Sequence, residues 1–304
     1  LIKNLKKNRY HPMLKSRLPN KLNILDYKFL KSELKKNYNY VVLAVSSKGI
    51  DWVIEKLVKN YVKKYYLIVL TKGLSIYKNK IITISNKINL EFQRKGLPIQ
   101  NITSIKGPCL AVGLINKVRT STVIANQSIS VASQVSRIIS TSYYTTEVTK
   151  DIIGVEILGA IKNIYAMLIG ASVGLSGSKL KENIRLKYFH NTSSVLFRKS
   201  LNEMEIFTKK MNGNPKTAYG LAGLGDLYVS IVGGRNSRMG YYLGKGKKYL
   251  NIKNKEMKNI TTEGCDLAIE IGSTIQKKFK RKDFPLMFSL IDSICKNKKL
   301  KIKW

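Results

Sequence analysis

The sequence is poor in the residues that build metal centres and disulfide frameworks. It has three cysteines, Cys109, Cys265 and Cys295, and two histidines, His11 and His190, all far apart in the chain. Structural zinc sites need cysteine and histidine at short spacings, and disulfide scaffolds need a dense, even set of cysteines. The sequence therefore excludes a small disulfide-stapled fold and contains no zinc motif.

Acidic residues are scarce, since 18 Asp and Glu stand against 55 Lys and Arg and give a net charge of +37. Only 10 of the basic residues are Arg, and they are spread along the whole chain. A nucleic-acid binder would gather positive charge on one surface and favour Arg and interleaved aromatic residues. The scattered, Lys-rich pattern fits an A/T-rich coding composition instead, so we expect no specific nucleic-acid partner.

A long apolar run free of charge is also missing. Residues 157–177 are long enough to cross a bilayer, but Lys162 and Asn163 lie within them. A central Lys disfavours membrane insertion by ~3 kcal/mol. The basic N-terminal residues are followed by no apolar stretch, so they are not a secretory signal. We expect a buried helix carrying a functional Lys, no membrane span, and a cytoplasmic protein.

The pattern of elements divides the chain into two parts. Short β-rich runs alternate with helical stretches up to residue 146, which is typical of a parallel sheet covered by helices. After about residue 150 the strand signal disappears and helical periodicity continues. The sequence predicts an α/β domain over 1–148 and an all-α domain over 149–304. The expected strands are 38–45, 65–71, 102–105, 120–126 and 143–148, and the expected helices are 48–62, 128–140 and, less clearly, 79–95.

An α/β domain of this kind invites a search for the turn GxGxxG, whose backbone amides hold the pyrophosphate of a dinucleotide. No such turn follows any expected strand. The Gly-dense stretches 170–177 and 220–227 lie in the helical half, so neither is a dinucleotide fingerprint.

Eight short motifs nevertheless occur in one order along the chain. They are AVSS (44–47), TKGL (71–74), GPCLA (107–111), DIIGVEILGAIKNIYA (151–166), SLNEM (200–204), GLAGLGDLYVS (220–230), GGRN (233–236) and TTEG (261–264). Together they resemble the NAD(P)-dependent glycerol-3-phosphate dehydrogenases. The resemblance implies a partial Rossmann-like parallel sheet followed by a helical substrate domain similar to the C-terminal domain of 6-phosphogluconate dehydrogenase.

The sequence departs from the family pattern at several places. Leu1 falls just beyond the family's second strand, so we expect that strand, the first helix and the strand with the Gly-rich turn to lie upstream. Ser46 stands where the family usually has Pro, and Gly113 where it often has Glu. Residues 178–190 replace a short Gly-Asp loop. Neither Ser46 nor Gly113 touches the implied chemistry.

The implied reaction is hydride exchange between the nicotinamide of NAD or NADP and C2 of dihydroxyacetone phosphate, which needs a positioned acid–base group. The resemblance assigns that role to Lys162, which burial and a nearby cation would shift toward the neutral amine. Lys72, at the end of an apolar strand, is implied to polarise the carbonyl. Asp226 is implied to orient Lys162 and to bind the substrate hydroxyl.

The remaining site residues also follow from the resemblance. Arg235 and Asn236 are implied to hold the substrate phosphate, which a guanidinium group can bind through two parallel hydrogen bonds. Asn163 and Ser230 would add hydrogen bonds to the substrate. The residues implied to contact the cofactor are Lys72, Gly107, Cys109, Ala111, Arg235 and Glu263.

Each of these residues has a plainer alternative. Lys162 could reach the surface, Lys72 could be solvated in its turn, and Asp226 could cap a helix. The chain as a whole could be a non-enzymatic truncated homologue whose basic surface binds polyanions. The dehydrogenase interpretation requires a small-molecule substrate, dihydroxyacetone phosphate or glycerol 3-phosphate, and it is compatible with a homodimer.

Overall fold

A computed structural model of the chain describes residues 2–36, 38–61, 65–175, 189–232 and 234–302. Within these residues the strands are β1 (Tyr10–His11), β2 (Ser16–Arg17), β3 (Tyr40–Leu43), β4 (Tyr66–Val69), β5 (Leu74–Tyr77), β6 (Lys80–Thr83), β7 (Asn101–Lys106), β8 (Thr120–Ala125) and β9 (Tyr144–Thr149). The helices are α1 (Ile2–Asn8), α2 (Leu30–Leu34), α3 (Ile50–Lys59), α4 (Ile84–Arg94), α5 (Ala111–Ile115), α6 (Ile129–Ile139), α7 (Ile152–Leu175), α8 (His190–Lys210), α9 (Asp226–Ile231), α10 (Arg235–Gly244), α11 (Tyr249–Asn254), α12 (Glu263–Lys278) and α13 (Pro285–Cys295).

The expected α/β part followed by an all-helical part is confirmed. A five-stranded sheet has the order β3-β4-β7-β8-β9 and contains all five expected strands, and the helical part begins with α7. Helices pack on the sheet through apolar residues such as Ile54 on α3 and Ile88 on α4, which are at most 3% exposed.

The sheet is mostly parallel, as predicted, and has one antiparallel junction. Strands β7 and β8 are antiparallel, with Ser104 opposite Ala125, whereas the other neighbouring pairs are parallel. A parallel connection needs a crossover element that packs back on the sheet. The connection here contains only the five-residue α5, which has no buried residue, so the chain returns in the opposite direction.

The stretch 79–95 is a helix only in its second part. Strands β5 and β6 form a hairpin with Tyr77 opposite Lys80, and α4 begins at Ile84. Lys78 and Asn79 form the two-residue turn with φ of 46° and 59°. Two left-handed residues match the twist of a tight hairpin. The sequence did not predict this turn, because neither residue is the Gly that usually marks one.

Helix α7 forms the centre of the helical part. It is long and apolar enough to cross a membrane by length and composition, yet 89% of its apolar window is buried inside the structure. A helix that is hydrophobic on all sides belongs in a core, and Leu158, Ile161 and Tyr165 are fully buried against the helices around it. The expected buried helix around Lys162 is therefore present.

Helix α10 approaches α7 closely enough to require a glycine. A Cβ added to Gly240 would lie 1.8 Å from the carbonyl oxygen of Met167. Because even the smallest side chain would separate the two backbones, Gly240 allows the N-terminus of α10, with Arg235 and Asn236, to lie beside Lys162 and Asn163 on α7.

Candidate active site

A cleft of about 800 Å³ lies between the carboxyl ends of strands β3 and β4 and the helical part of the chain. In open α/β sheets, ligands bind at the carboxyl ends of the strands. The cleft is lined by residues that follow the two strands and by residues of α7, α9, α10 and α12, among them Ser46, Ser47, Lys72, Cys109, Lys162, Asn163, Asp226, Ser230, Arg235, Asn236, Glu263 and Asp266.

Asp226 holds two lysines at the floor of this cleft. Its Oδ1 lies 2.8 Å from Nζ of Lys162, and its Oδ2 lies 2.7 Å from Nζ of Lys72. Lys162 also donates a hydrogen bond to Oγ of Ser230, whose hydroxyl donates to the backbone carbonyl of Asp226 at 2.7 Å. Lys162 is only 5% exposed, so its amine does not extend to the surface.

The two lysines differ in their access to solvent. The side chain of Lys72 is 26% exposed, whereas that of Lys162 is 6% exposed. Burial and, to a smaller extent, the positive charge of Lys72 lower the pKa of Lys162 to about 8, against the opposing effects of Asp226 and Glu263. An amine with such a pKa can both give and take a proton near neutral pH, as an acid–base group requires.

A chain of amide contacts connects α7, α10 and α12 on one side of the cleft. Nδ2 of Asn236 donates to Oδ1 of Asn163 at 2.9 Å, and Oδ1 of Asn236 accepts the backbone N–H of Gly264 at 3.0 Å. Nδ2 of Asn163 donates to Glu263 at 3.3 Å. These bonds fix both amide groups, so their remaining donors point in defined directions.

Arg235 lies at the rim of the cleft, as the first residue of α10. Its side chain is 57% exposed, and its guanidinium contacts Oε1 of Glu263 at 3.3 Å. Gly234, which precedes it, is the N-cap residue, and Gly233 lies outside the described residues. A guanidinium group at a helix N-terminus combines two features that bind oxyanions.

The structure brings most of the expected site residues together. Lys72, Cys109, Lys162, Asn163, Asp226, Ser230, Arg235, Asn236 and Glu263 all line the cleft. Gly107 and Ala111 do not, since Gly107 is buried against Thr122 with φ of 145° and Ala111 is an exposed first residue of α5. Of the unusual segment 178–190, residues 178–188 lie outside the described part of the chain.

Cys109 faces the cleft without the features of a reactive thiol. Burial raises the pKa of its side chain, although Lys72 partly opposes that effect. Reactive cysteines have a lowered pKa. Cys109 therefore contributes shape to the cleft rather than chemistry.

Sequence reasoning missed an ion pair at the cleft. Nζ of Lys48, in the turn after β3, lies 2.9 Å from Oδ1 of Asp266 on α12. Thr71, next to Lys72, was also missed, although its hydroxyl donates to the carbonyl of Val45 at 2.8 Å. The signal for both was their place after the expected strands 38–45 and 65–71, where a sheet presents ligand-binding residues.

Comparisons with known proteins identify the family of the chain. The family model for the N-terminus of NAD-dependent glycerol-3-phosphate dehydrogenase matches residues 2–132, and the model for the C-terminus matches residues 151–303. The chain belongs to this family. The NADP(+)-dependent glycerol-3-phosphate dehydrogenase of Archaeoglobus fulgidus is 32% identical over 249 residues, which are 81% of this chain and 70% of that protein.

Other members of the glycerol-3-phosphate dehydrogenase family are more distant. The glycerol-3-phosphate dehydrogenase [NAD(P)+] of Clostridium tetani is 29% identical over 227 residues, 74% of this chain. The chain spans 59% of the length of that relative and 58% of that of a Clostridium botulinum relative.

Solved structures of the family have the same fold. The glycerol-3-phosphate dehydrogenase of Coxiella burnetii aligns with a TM-score of 0.78 and 23% identity, over 98% of this chain and 85% of that one. The yeast enzyme from Saccharomyces cerevisiae aligns with a TM-score of 0.76 and 19% identity, over 93% and 78% of the two chains. The Rossmann-like α/β domain and helical domain implied by the motifs are therefore confirmed.

Proposed function

We propose that this chain catalyses the reversible reduction of dihydroxyacetone phosphate to sn-glycerol 3-phosphate with NADH or NADPH. The observation that carries the proposal is the buried group formed by Lys162, Asp226 and Lys72, with Arg235 at the rim of the same cleft. It provides an acid–base amine, a second cation for a polarised oxygen, and an anion-binding residue for the phosphate.

Residues of this chain supply the proton and stabilise the negative charge that develops on the carbonyl oxygen. Lys162 gives a proton to the carbonyl oxygen as the hydroxyl forms and takes it back in the reverse direction. Lys72 places a positive charge near the same oxygen, where negative charge develops. Asp226 keeps both amines in place, since each of its carboxylate oxygens contacts one of them.

The substrate phosphate is assigned to Arg235 and Asn236. Glu263 contacts Arg235 at 3.3 Å on the exposed rim, where an ion pair contributes little. A phosphate group, which offers more oxygens and more charge, can therefore replace Glu263 as the partner of Arg235. Asn163 and Ser230 are assigned hydrogen bonds to the substrate hydroxyl groups.

The residues of the cleft suit a nicotinamide cofactor, which would supply the hydride when bound. Lys72, Cys109, Arg235 and Glu263 line the cleft beside the assigned substrate position and would contact the cofactor. The cleft also continues past Ser46 and Ser47 after β3. We propose NAD or NADP as the cofactor.

Several further properties follow from the proposed reaction. The product is the backbone precursor of phospholipids, so we propose a cytoplasmic enzyme of lipid synthesis, and a homodimer is compatible with this role. We also propose that residues 1–148 form the nucleotide-binding domain and residues 149–304 the substrate domain, because β9 ends at Thr149 and α7 begins at Ile152.

The test is oxidation of NADH or NADPH on addition of dihydroxyacetone phosphate, with unphosphorylated dihydroxyacetone as the matched control. We expect turnover with the phosphate ester and at least tenfold less turnover with the free ketone. Equal turnover of the two ketones would contradict the phosphate site. Failure to oxidise either cofactor, together with salt-sensitive binding to heparin, would favour a polyanion-binding homologue.

A further inference from the structure

Lys106 is a buried cationic residue that the proposed reaction does not use. Lys106 is the last residue of β7, is only 2% exposed, and does not line the cleft. Its Nζ donates to the backbone carbonyl of Val69 at 2.9 Å and to Oγ of Ser104 at 2.8 Å. Burying such a group is costly unless its hydrogen bonds are satisfied, so its place in the sheet calls for an explanation.

The amine of Lys106 has no charged hydrogen-bond partner among the described residues. An ammonium group has three N–H donors, whereas a neutral amine has two, and the described residues supply two acceptors, both uncharged. Burial lowers the pKa of Lys106 to about 8, with Glu156 opposing the shift and Lys72 adding to it. With this pKa the group is still largely protonated at neutral pH, and its two hydrogen bonds offset part of the cost of burying it.

The aliphatic part of Lys106 lies on α7 at Gly159. A Cβ added to Gly159 would lie 2.8 Å from Cδ of Lys106 and 3.0 Å from Cγ. Residues three apart share a helix face, so this contact lies one turn before Lys162. Glycine at this position lets the lysine side chain reach the helix backbone.

The amine of Lys106 binds the strand that leads to Lys72, whereas its aliphatic part lies on α7. Val69 is the last residue of β4 and lies three residues before Lys72. Lys106 therefore contacts both elements that supply the amines bound to Asp226, through its nitrogen on one and its aliphatic part on the other.

We propose that Lys106 is a positioning residue that fixes the turn carrying Lys72 against the part of α7 that carries Lys162. It thereby sets the spacing of the two amines on Asp226. This role rests on the proposed function, yet the contact that it maintains can be measured without turnover.

The experiment measures how fast Lys72 is acetylated, read by peptide mass spectrometry, together with turnover of dihydroxyacetone phosphate. Lys106→Met keeps an unbranched side chain against Gly159 but removes both hydrogen bonds. We expect acetylation of Lys72 to rise at least threefold as its contact with Asp226 loosens. Turnover should fall at least tenfold, because small misplacements of catalytic groups are costly. The control Lys80→Met, at an exposed residue outside the cleft, should change neither quantity.

A second variant keeps the test valid if Lys106→Met fails to fold. Gly159→Ala favours the helix by propensity but pushes the Lys106 side chain aside, so it should also raise acetylation of Lys72 and lower turnover. If Lys106 acts through Lys72, adding Lys106→Met to Lys72→Met should lower turnover no further.

Two results would separate this inference from the proposed function. Unchanged acetylation of Lys72 in both folded variants would overturn the positioning role, whatever the activity of the wild type. A wild-type chain without turnover would contradict the proposed function, and acetylation of Lys72 would still decide the role of Lys106.

Discussion

Nζ of Lys162 on α7 lies 2.8 Å from Oδ1 of Asp226, 64 residues later in the chain. Burial lowers the pKa of Lys162 to about 8, and Asp226 acts in the opposite direction. Reduction of the ketone needs the protonated amine, and oxidation of the alcohol needs the neutral amine. We therefore expect kcat/KM for reduction to fall, and kcat/KM for oxidation to rise, as pH increases through about 8.

The variant Asp226→Asn tests the electrostatic part of this prediction. Removing the anion that raises the pKa of Lys162 should move both pH midpoints to lower values. It should also lower kcat, because Lys72 and Lys162 lose their common partner. Midpoints that stay in place or move upward would show that Lys162 is not the titrating group.

Arg235→Lys should weaken binding of dihydroxyacetone phosphate by at least tenfold while leaving the free ketone almost unaffected. A Lys ammonium is a point charge and cannot reproduce the paired hydrogen bonds of a guanidinium group. KM for the two ketones gives the readout, and Arg238→Lys, an exposed site on the same helix, is the matched control. Equal losses on both ketones would remove Arg235 from the phosphate site.

We expect Glu203 to make the stability of the fold, rather than the activity, depend on pH. Burial raises the pKa of this carboxyl to about 7, although it accepts the N–H groups of Leu286 and Met287 at 2.7 and 3.0 Å. Because the folded-state pKa lies above the unfolded value of 4.5, its contribution is fully present below pH 4.5. That contribution is lost as pH rises through about 7.

Glu203→Gln should remove this pH dependence at a pH-independent cost, since the N–H groups of Leu286 and Met287 each bind a different oxygen of Glu203 and an amide has only one acceptor atom. The fall in unfolding free energy between pH 5 and pH 8 should shrink by on the order of 2 kcal/mol. Urea denaturation at both pH values provides the measurement, with Glu205→Gln on the same helix as the control. An unchanged difference between the two pH values would contradict the assignment.

The cofactor should bind this chain weakly. No strand of the described sheet leads into a helix through a Gly-rich turn, which would supply backbone amides to the pyrophosphate. We expect NADH to bind at least tenfold more tightly when a Gly-rich strand–turn–helix segment of a family member is fused before Leu1. Calorimetric titration of both chains decides this, and micromolar binding by the chain as it stands would show that another segment completes the site.

Much of the fold could be predicted because the strands are short apolar runs and α7 is a long one. The motif residues Lys162 and Asp226 were also identifiable from their order along the chain. The sequence did not show which side chains that are far apart in the chain contact each other in the fold. Glu156, for example, accepts both the N–H and the hydroxyl of Ser85, 71 residues away.

Two features remained hidden for definite physical reasons. A buried Lys106 looks in the sequence like one more basic residue in a Lys-rich chain, because its acceptors come from β4 and β7 rather than from nearby acids. The antiparallel junction of β7 and β8 depends on the path of a connection with a short exposed helix, and no residue pattern specifies such a path.

Lys162 is the group that transfers the proton in the proposed reaction. The most direct test compares wild type and Lys162→Met in oxidation of NADH by dihydroxyacetone phosphate at saturating cofactor, with substrate binding measured separately by calorimetry. Loss of an acid–base group typically lowers the rate by ~10²–10⁴-fold, so kcat should fall by that factor while substrate affinity changes only a few fold. A variant that kept more than a tenth of the wild-type kcat would contradict the assignment of Lys162.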